Sequence, residues 1–117
     1  MSVTAIAFTM YPVADTTRAV AFYRDVVGLT LGGIESPNWV EFDIAGATFG
    51  VGNFAQVGTP GSGQSLALEV GDLTAYRKLL ADKGVETSEP HETPVCWISV
   101  VRDPDGNQIW LHQAKRS

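Results

Sequence analysis

Apolar and polar residues alternate with period two over Asn38-Trp39-Val40-Glu41-Phe42-Asp43-Ile44, stop at Ala45-Gly46, and resume over Ala47-Thr48-Phe49-Gly50-Val51-Gly52. This predicts a hairpin with one packed face. The pattern recurs as Cys96-Trp97-Ile98-Ser99-Val100-Val101, an Asp-Pro-Asp-Gly turn at 103–106, and Asn107-Gln108-Ile109-Trp110-Leu111-His112. Upstream of each hairpin the period lengthens to that of a helix. Asp15 caps the first, with Ala19, Phe22, Tyr23 and Val26 on one face and Gly28 as its stop; Asp72 caps the second, with Leu73, Tyr76, Leu79 and Leu80 on one face and Gly84 as its stop. From Thr4 the chain reads strand, helix and three short strands, and the same order restarts at Ser65, which is an internal duplication. Trp39 and Trp97 then occupy matching places, although a register slip of one residue would turn Trp97 to the other face.

The expected organisation is a single domain over 1–117, made of two βαβββ modules (about 3–54 and 64–113). Gly58-Thr59-Pro60-Gly61-Ser62-Gly63 between them has the composition of a flexible connector. Residues 87–95, with two prolines, read as an edge strand followed by a loop.

Strand alternation assigns faces. Val40, Phe42 and Ile44 pack against a helix and turn Trp39, Glu41 and Asp43 the other way; the next strand then presents Thr48, Gly50 and Gly52 on that inner face. In the second half, Leu66, Leu68, Ile109 and Leu111 are packed, leaving Ser65, Ala67, Glu69, Gln108, Trp110 and His112 inward. The first strand is apolar on both faces, so pattern alone does not orient it.

Composition narrows the function. A chain of 117 residues buries roughly two-thirds of its unfolded surface on folding, enough for an ordinary core. Its formal charge of −5 argues against nucleic acid, which demands clustered Lys and Arg. One cysteine, Cys96, cannot form an internal disulfide, which suits a reducing compartment. The start lacks a basic and apolar leader, and no later run is long enough to span a bilayer. A cytoplasmic protein that does not engage membranes is expected.

The stretch Val101-Arg102-Asp103-Pro104-Asp105-Gly106-Asn107-Gln108-Ile109-Trp110-Leu111, together with Phe22-Tyr23-Arg24-Asp25-Val26-Val27-Gly28-Leu29 after Pro12-Val13-Ala14-Asp15, resembles the vicinal oxygen chelate superfamily, which holds glyoxalase I, extradiol dioxygenases and bleomycin-resistance proteins. The resemblance spans roughly Val3 to Gln113. It implies an α+β fold of two tandem βαβββ modules forming a cupped mixed sheet with helices outside, and it orients the first strand with Phe8 and Met10 inward, Thr9 and Tyr11 outward. Most members that perform chemistry hold a divalent metal at four inward positions. Carried onto this chain, those positions are Phe8, Gly50, Ser65 and Trp110. Phenyl, indole and a bare glycine have no lone pair to offer, and serine is a poor ligand. A member lacking its metal ligands is therefore expected, with no cofactor.

The candidate ligand-binding residues are Phe8, Met10, Trp39, Gly50, Ser65, Trp97, Trp110 and His112. Three tryptophans suit a stacking floor for a flat ligand, although indoles also serve as core filler. Glu41 and Glu69 are candidate catalytic groups, since enclosure in a dry cup suits a carboxylate for general acid or base work; the plainer reading is a wet sheet face. His112 near a strand end, and His91 in the proline-flanked loop, read more simply as solvated imidazoles. A metal site improvised from Glu41, Glu69 and His112 matches no known spacing. Gly50-Val51-Gly52 precedes no helix, so it is no phosphate loop, and no nucleophile elbow is present. Two functions follow: a metal-independent small-molecule binder of the bleomycin-resistance type for an aromatic or amphipathic compound, or a metal-free isomerase or lyase using a cup carboxylate. A small-molecule ligand and a second copy in a C2 homodimer are the expected partners.

Overall fold

A computed structural model describes residues 2–115. Met1 and residues 116–117, the ends of the expected 1–117 unit, lie outside the described residues. The first half runs β1 (Thr9–Pro12), α1 (Thr16–Val20), β2 (Thr30–Glu35), β3 (Trp39–Ile44) and β4 (Ala47–Gly52). The second runs β5 (Leu66–Glu69), α2 (Leu73–Asp82), β6 (His91–Glu92), β7 (Cys96–Arg102) and β8 (Gln108–Ala114). Each half makes a four-stranded sheet, ordered β1-β4-β3-β2 and β5-β8-β7-β6. In both, the first strand runs parallel to the last and the other pairs are antiparallel.

Both helices begin as the caps predict. The Asp15 carboxylate accepts from the amides of Thr17 and Arg18, and that of Asp72 from Ala75. Beyond Val20, α1 widens into π-helical turns over Ala21–Val27, which end at Gly28 with φ of 94°. Tyr11, Val40, Phe42, Phe49 and Val51 from one sheet and Leu66, Leu68, Ile109 and Leu111 from the other join Ala19, Tyr23, Leu73 and Leu80 in one apolar cluster. Leu79, expected on the packed face of α2, is 46% exposed. Leu73, Tyr76 and Leu80 follow the helical repeat onto the sheet, and Leu79 stands about 100° round from Leu80.

The first strand starts later than the pattern from Thr4 suggests. Its parallel ladder pairs Thr9 with Phe49, and β4 itself begins at Ala47 after the Ala45-Gly46 turn. Residues 2–6 therefore have no partner strand among the described residues, and Val3 and Ile6 stand exposed. The proline-flanked stretch pairs only at Thr87 with Val101 and through the two-residue edge strand His91–Glu92.

The halves are locked together by the Asp-Pro-Asp-Gly-Asn turn. One Asp103 oxygen accepts from the amides of Asp105 and Asn107, each at 2.9 Å. Its other oxygen accepts from the Tyr23 hydroxyl at 2.7 Å and the Asn107 side-chain amide at 2.8 Å. Asn107, fully buried, also donates to the Pro12 carbonyl at 2.7 Å and accepts from the amides of Gly61 and Gly63 at 3.1 and 2.8 Å. The Gly-rich connector is thus pinned at two amides rather than left loose. Gly63 answers to packing: a Cβ on it would fall 2.6 Å from the Tyr11 ring. The Tyr11 hydroxyl accepts from Leu66 at 2.7 Å and donates to the Gln108 carbonyl, and Tyr76 donates to the Val27 carbonyl at 2.7 Å.

All three tyrosines sit above their ordinary pKa of 10.0. Burial is the main cause at each, and at Tyr23 the negative charge of Asp103 adds to it. Below pH ~10 the phenols are protonated in both folded and unfolded chains, so their contribution is fully present. As pH rises past that value the unfolded chain gains charge that the folded one resists, and stability falls. Titration followed by tyrosinate absorbance is expected to show ionisation only together with alkaline unfolding. A tyrosine titrating freely near pH 10 in the folded protein contradicts this. Tyr23→Phe, which strips one donor from the buried Asp103, is expected to lower stability by about 1–3 kcal/mol in denaturant melts at pH 7.

Candidate ligand-binding site

In the first sheet the face turned away from α1 carries Met10, Trp39, Glu41, Gly50 and Gly52, because register pairs Met10 with Gly50, Glu41 with Gly50 and Trp39 with Gly52. Phe8, just ahead of β1, is 45% exposed on the same side. The Phe8 and Trp39 rings meet edge to face at 5.3 Å, and Trp39 and Phe54 are tilted at 6.1 Å. The indole N–H of Trp39 donates to a Glu41 carboxylate oxygen at 2.9 Å, which fixes both side chains. With Met10, Gln56 and Val57 these groups line a cavity of ≈ 290 Å³.

Gly50 does not reach the ligand space directly. It is the seat of Trp39: a Cβ there would stand 2.2 Å from the indole, and one on Gly52 would stand 2.8 Å from it. Two bare backbone positions therefore let the ring settle onto the sheet where it lines the cavity. Met10 and Val57 also border a neighbouring groove of ≈ 450 Å³ that runs on to Gly63, Gln64 and Ser65 at the start of the second half.

The matching face of the second sheet is built differently. Register pairs Trp110 with both Ala67 and Val100, and His112 with both Glu69 and Ile98. Trp110 is 41% exposed there. His112 Nδ1 lies 2.5 Å from a Glu69 oxygen, and the other Glu69 oxygen accepts from the Ala114 amide at 2.8 Å. The Glu69 side chain is 59% exposed, so the closed, dry cup anticipated around it is not what surrounds it. Neither Trp110 nor His112 lines the cavity that holds Trp39. The two-module fold implies a concave surface between the halves; this cavity is built from the first half and the 3₁₀ turn that follows it.

Trp97 does not share a face with Trp110. It pairs with Gln113, one step out of phase with His112, and packs against the core with Lys115 over its ring at 5.4 Å. Ile98 is the true counterpart of Trp39, since Ile98 faces His112 as Trp39 faces Gly52. The single-residue slip thus separates the two tryptophans. His91 is exposed on the edge strand β6, away from the cavity. Phe54, Gln56 and Val57 were not foreseen: they follow β4 in a loop and a short 3₁₀ turn (Ala55–Val57), where no strand period marks a face. An exposed aromatic immediately after a Gly-Val-Gly strand was the one signal available.

The four positions at which a metal would be held are equivalent in pairs, because Gly50 lies beside Met10 as Trp110 lies beside Ala67, with Phe8 and Ser65 each two residues earlier. Their chemistry does not fit a divalent ion, as three of the four offer no donor side chain. Among the described residues no group of three or more His, Cys, Asp or Glu side chains is placed to hold one. Among them too, no helix is long and apolar enough to cross a membrane. Cys96 is buried and unpaired.

Residues 5–111 match the family model described as the Glyoxalase/Bleomycin resistance protein/Dioxygenase superfamily. No curated protein matches the chain. Among solved structures it is similar to TnmS3, an antibiotic binding protein from Streptomyces sp. CB03234, at 29% identity and a TM-score of 0.86, over 98% of this chain and 99% of that one. A glyoxalase/bleomycin resistance protein from the same organism matches at 30% identity and a TM-score of 0.79, over 93% and 100% of the respective chains. Lactoylglutathione lyase from Agrobacterium tumefaciens, at 21% identity and a TM-score of 0.80 over 96% and 95%, shares the fold. With one half-chain unit repeated, helices on one face of each sheet and a match across nearly its whole length, the chain belongs to the glyoxalase/bleomycin resistance protein/dioxygenase superfamily.

Proposed function

We propose that this protein is a metal-independent small-molecule binder, which holds an aromatic or amphipathic compound against the Phe8, Trp39 and Phe54 rings and leaves it chemically unchanged. The observation that carries the reading is the indole of Trp39 set on Gly50 and Gly52, where one of the superfamily's metal-ligand positions has become the floor under an aromatic wall. The donor-poor set Phe8, Gly50, Ser65 and Trp110 supports metal independence, and the description of TnmS3 as antibiotic binding supports a small-molecule role. Ser65 borders the adjoining groove and would meet the far end of a long ligand. Trp110 and His112 belong to this reading through a C2 homodimer, in which the exposed face of the second sheet would meet a site on another copy; sedimentation as a monomer at working concentration removes them from it. A cytoplasmic location accords with the unpaired Cys96.

The alternative, a metal-free isomerase or lyase, is favoured by one contact: the Glu69 and His112 pair at 2.5 Å, a carboxylate beside an imidazole on the same sheet face. Glu41 is the other carboxylate that would serve, already committed to the Trp39 N–H. The two readings part on turnover. Ligands found by screening are expected back unchanged by mass spectrometry after long incubation. A product formed by the wild type, but not by Glu69→Gln or Glu41→Gln, replaces the binder with the enzyme.

Metal content is checked by elemental analysis after dialysis, where less than stoichiometric zinc, nickel, manganese or iron is expected. One retained equivalent defeats metal independence. Trp39→Ala is expected to weaken a bound aromatic compound by about 1–3 kcal/mol, the scale of ring stacking. Gly50→Ala is expected to push the indole off its seat, costing about 1–3 kcal/mol of stability and shifting the tryptophan emission. Unchanged emission in Gly50→Ala, or unchanged affinity in Trp39→Ala with the fold intact by circular dichroism, removes this wall from the site.

A further inference from the structure

The cavity's rings and its charge point to a narrower ligand class than its apolar character alone. Three aromatic side chains, Phe8, Trp39 and Phe54, stand around it at mutual tilts of 70° and 50° along the chain of contacts, so their faces do not stack into one flat slot. A flat slot grips a planar ring; walls set at steep angles grip a compact, rounded group. The indole is pressed to the glycines and lines the cavity. The aromatic face is the negative pole of the ring quadrupole, and indole is the strongest of these surfaces for a cation.

Glu41 lines the same space. Its bond from the Trp39 N–H holds it beside the ring, and it is the charged side chain of that lining. The thioether of Met10 adds a soft, polarizable wall, and the whole chain carries a formal charge of −5, which raises the local concentration of cations. At ≈ 290 Å³ the cavity lies at the small end of ligand sites, enough for a head group, while the groove leading from Met10 and Val57 to Gly63, Gln64 and Ser65 takes whatever the head is attached to.

We propose that the cavity is an aromatic cage for an alkylated ammonium group, so that the ligand is an amphipathic cation whose tertiary or quaternary amine seats among Phe8, Trp39 and Phe54 against the Glu41 carboxylate. This rests on the reading of the same cavity as a small-molecule site and specifies its occupant. Tertiary and quaternary amines fit better than a primary one. Their methyl groups spread the charge over an apolar surface that matches the rings, and they surrender less hydration on entry. An anionic or phosphorylated head is disfavoured by Glu41 at the wall.

The test uses the intact protein and three probes: choline, its neutral isostere dimethylbutanol in which carbon replaces the nitrogen, and naphthol as a neutral planar compound. Binding is read by intrinsic tryptophan fluorescence and by calorimetry. Choline is expected to saturate, with dimethylbutanol weaker by on the order of tenfold, a difference that needs no variant. Glu41→Gln keeps an acceptor for the Trp39 N–H and is expected to weaken choline by about fivefold or more while leaving naphthol unmoved; added salt is expected to do the same. Equal affinity for choline and dimethylbutanol, or indifference of choline to Glu41→Gln, overturns the cage, and naphthol binding in that case leaves the small-molecule reading standing. If none of the three probes binds, the cage and the binding site fall together.

Discussion

Asp103 and Asn107 bury four oxygen and nitrogen atoms of their side chains where water does not reach, and the position of both sheets depends on satisfying them. Asn107 alone ties β8 to the end of β1 through Pro12 and to the connector through Gly61 and Gly63, while Asp103 reaches the first helix through Tyr23. A buried polar group without its partners costs more than the bond returns, so the network tolerates one arrangement of the halves. The turn motif is thus a clasp as well as a reversal. Arg18, bonded to Asp105 at 2.9 Å, extends the clasp to the surface.

That clasp sets what the cavity can be. By holding β1 beside the start of the second half, it brings the groove at Ser65 up to Met10 and Val57. The cavity's inner wall, by contrast, is a local affair of β3 and β4: Trp39, its Glu41 partner and two glycines. The duplication has diverged in a way that register makes visible. A large ring on β3 over glycine in one sheet is answered by Ile98 on β7 and a large ring on β8, Trp110, in the other. The two halves present different chemistry from one backbone plan.

What was legible in the sequence followed from period. In β3 the buried residues Val40 and Phe42, and in β8 Ile109 and Leu111, fall at every second place, as the alternation names them. Caps at Asp15 and Asp72 were readable for the same local reason. The start of β1 was not, since it depends on where the parallel neighbour β4 runs out. Trp97 was misplaced in the cup because strand order does not reveal a slip of one residue between duplicated hairpins. At the site, Met10, Trp39 and Glu41 come together from strands and Phe8 from the residue just ahead of β1, whereas Phe54 and Val57 come from a connection without periodicity. The connector's composition reads as freedom, and Gly58 does adopt a positive φ, yet Gly63 serves close packing against Tyr11, because composition does not say what presses against a missing side chain.

The walls of the cavity are not equally anchored. Trp39 belongs to a strand with ladder bonds on both sides, while Phe8 precedes the first residue of β1 that is paired at all. Displacing the indole means tearing a sheet; displacing the phenyl ring means moving a short lead-in segment that breaks no ladder. The pocket is therefore a vice with one fixed jaw and one sliding jaw, and the width it grips is adjustable while the depth is not. Under the proposed binding role, compounds sharing one head group but differing in girth would be accepted at nearly constant cost.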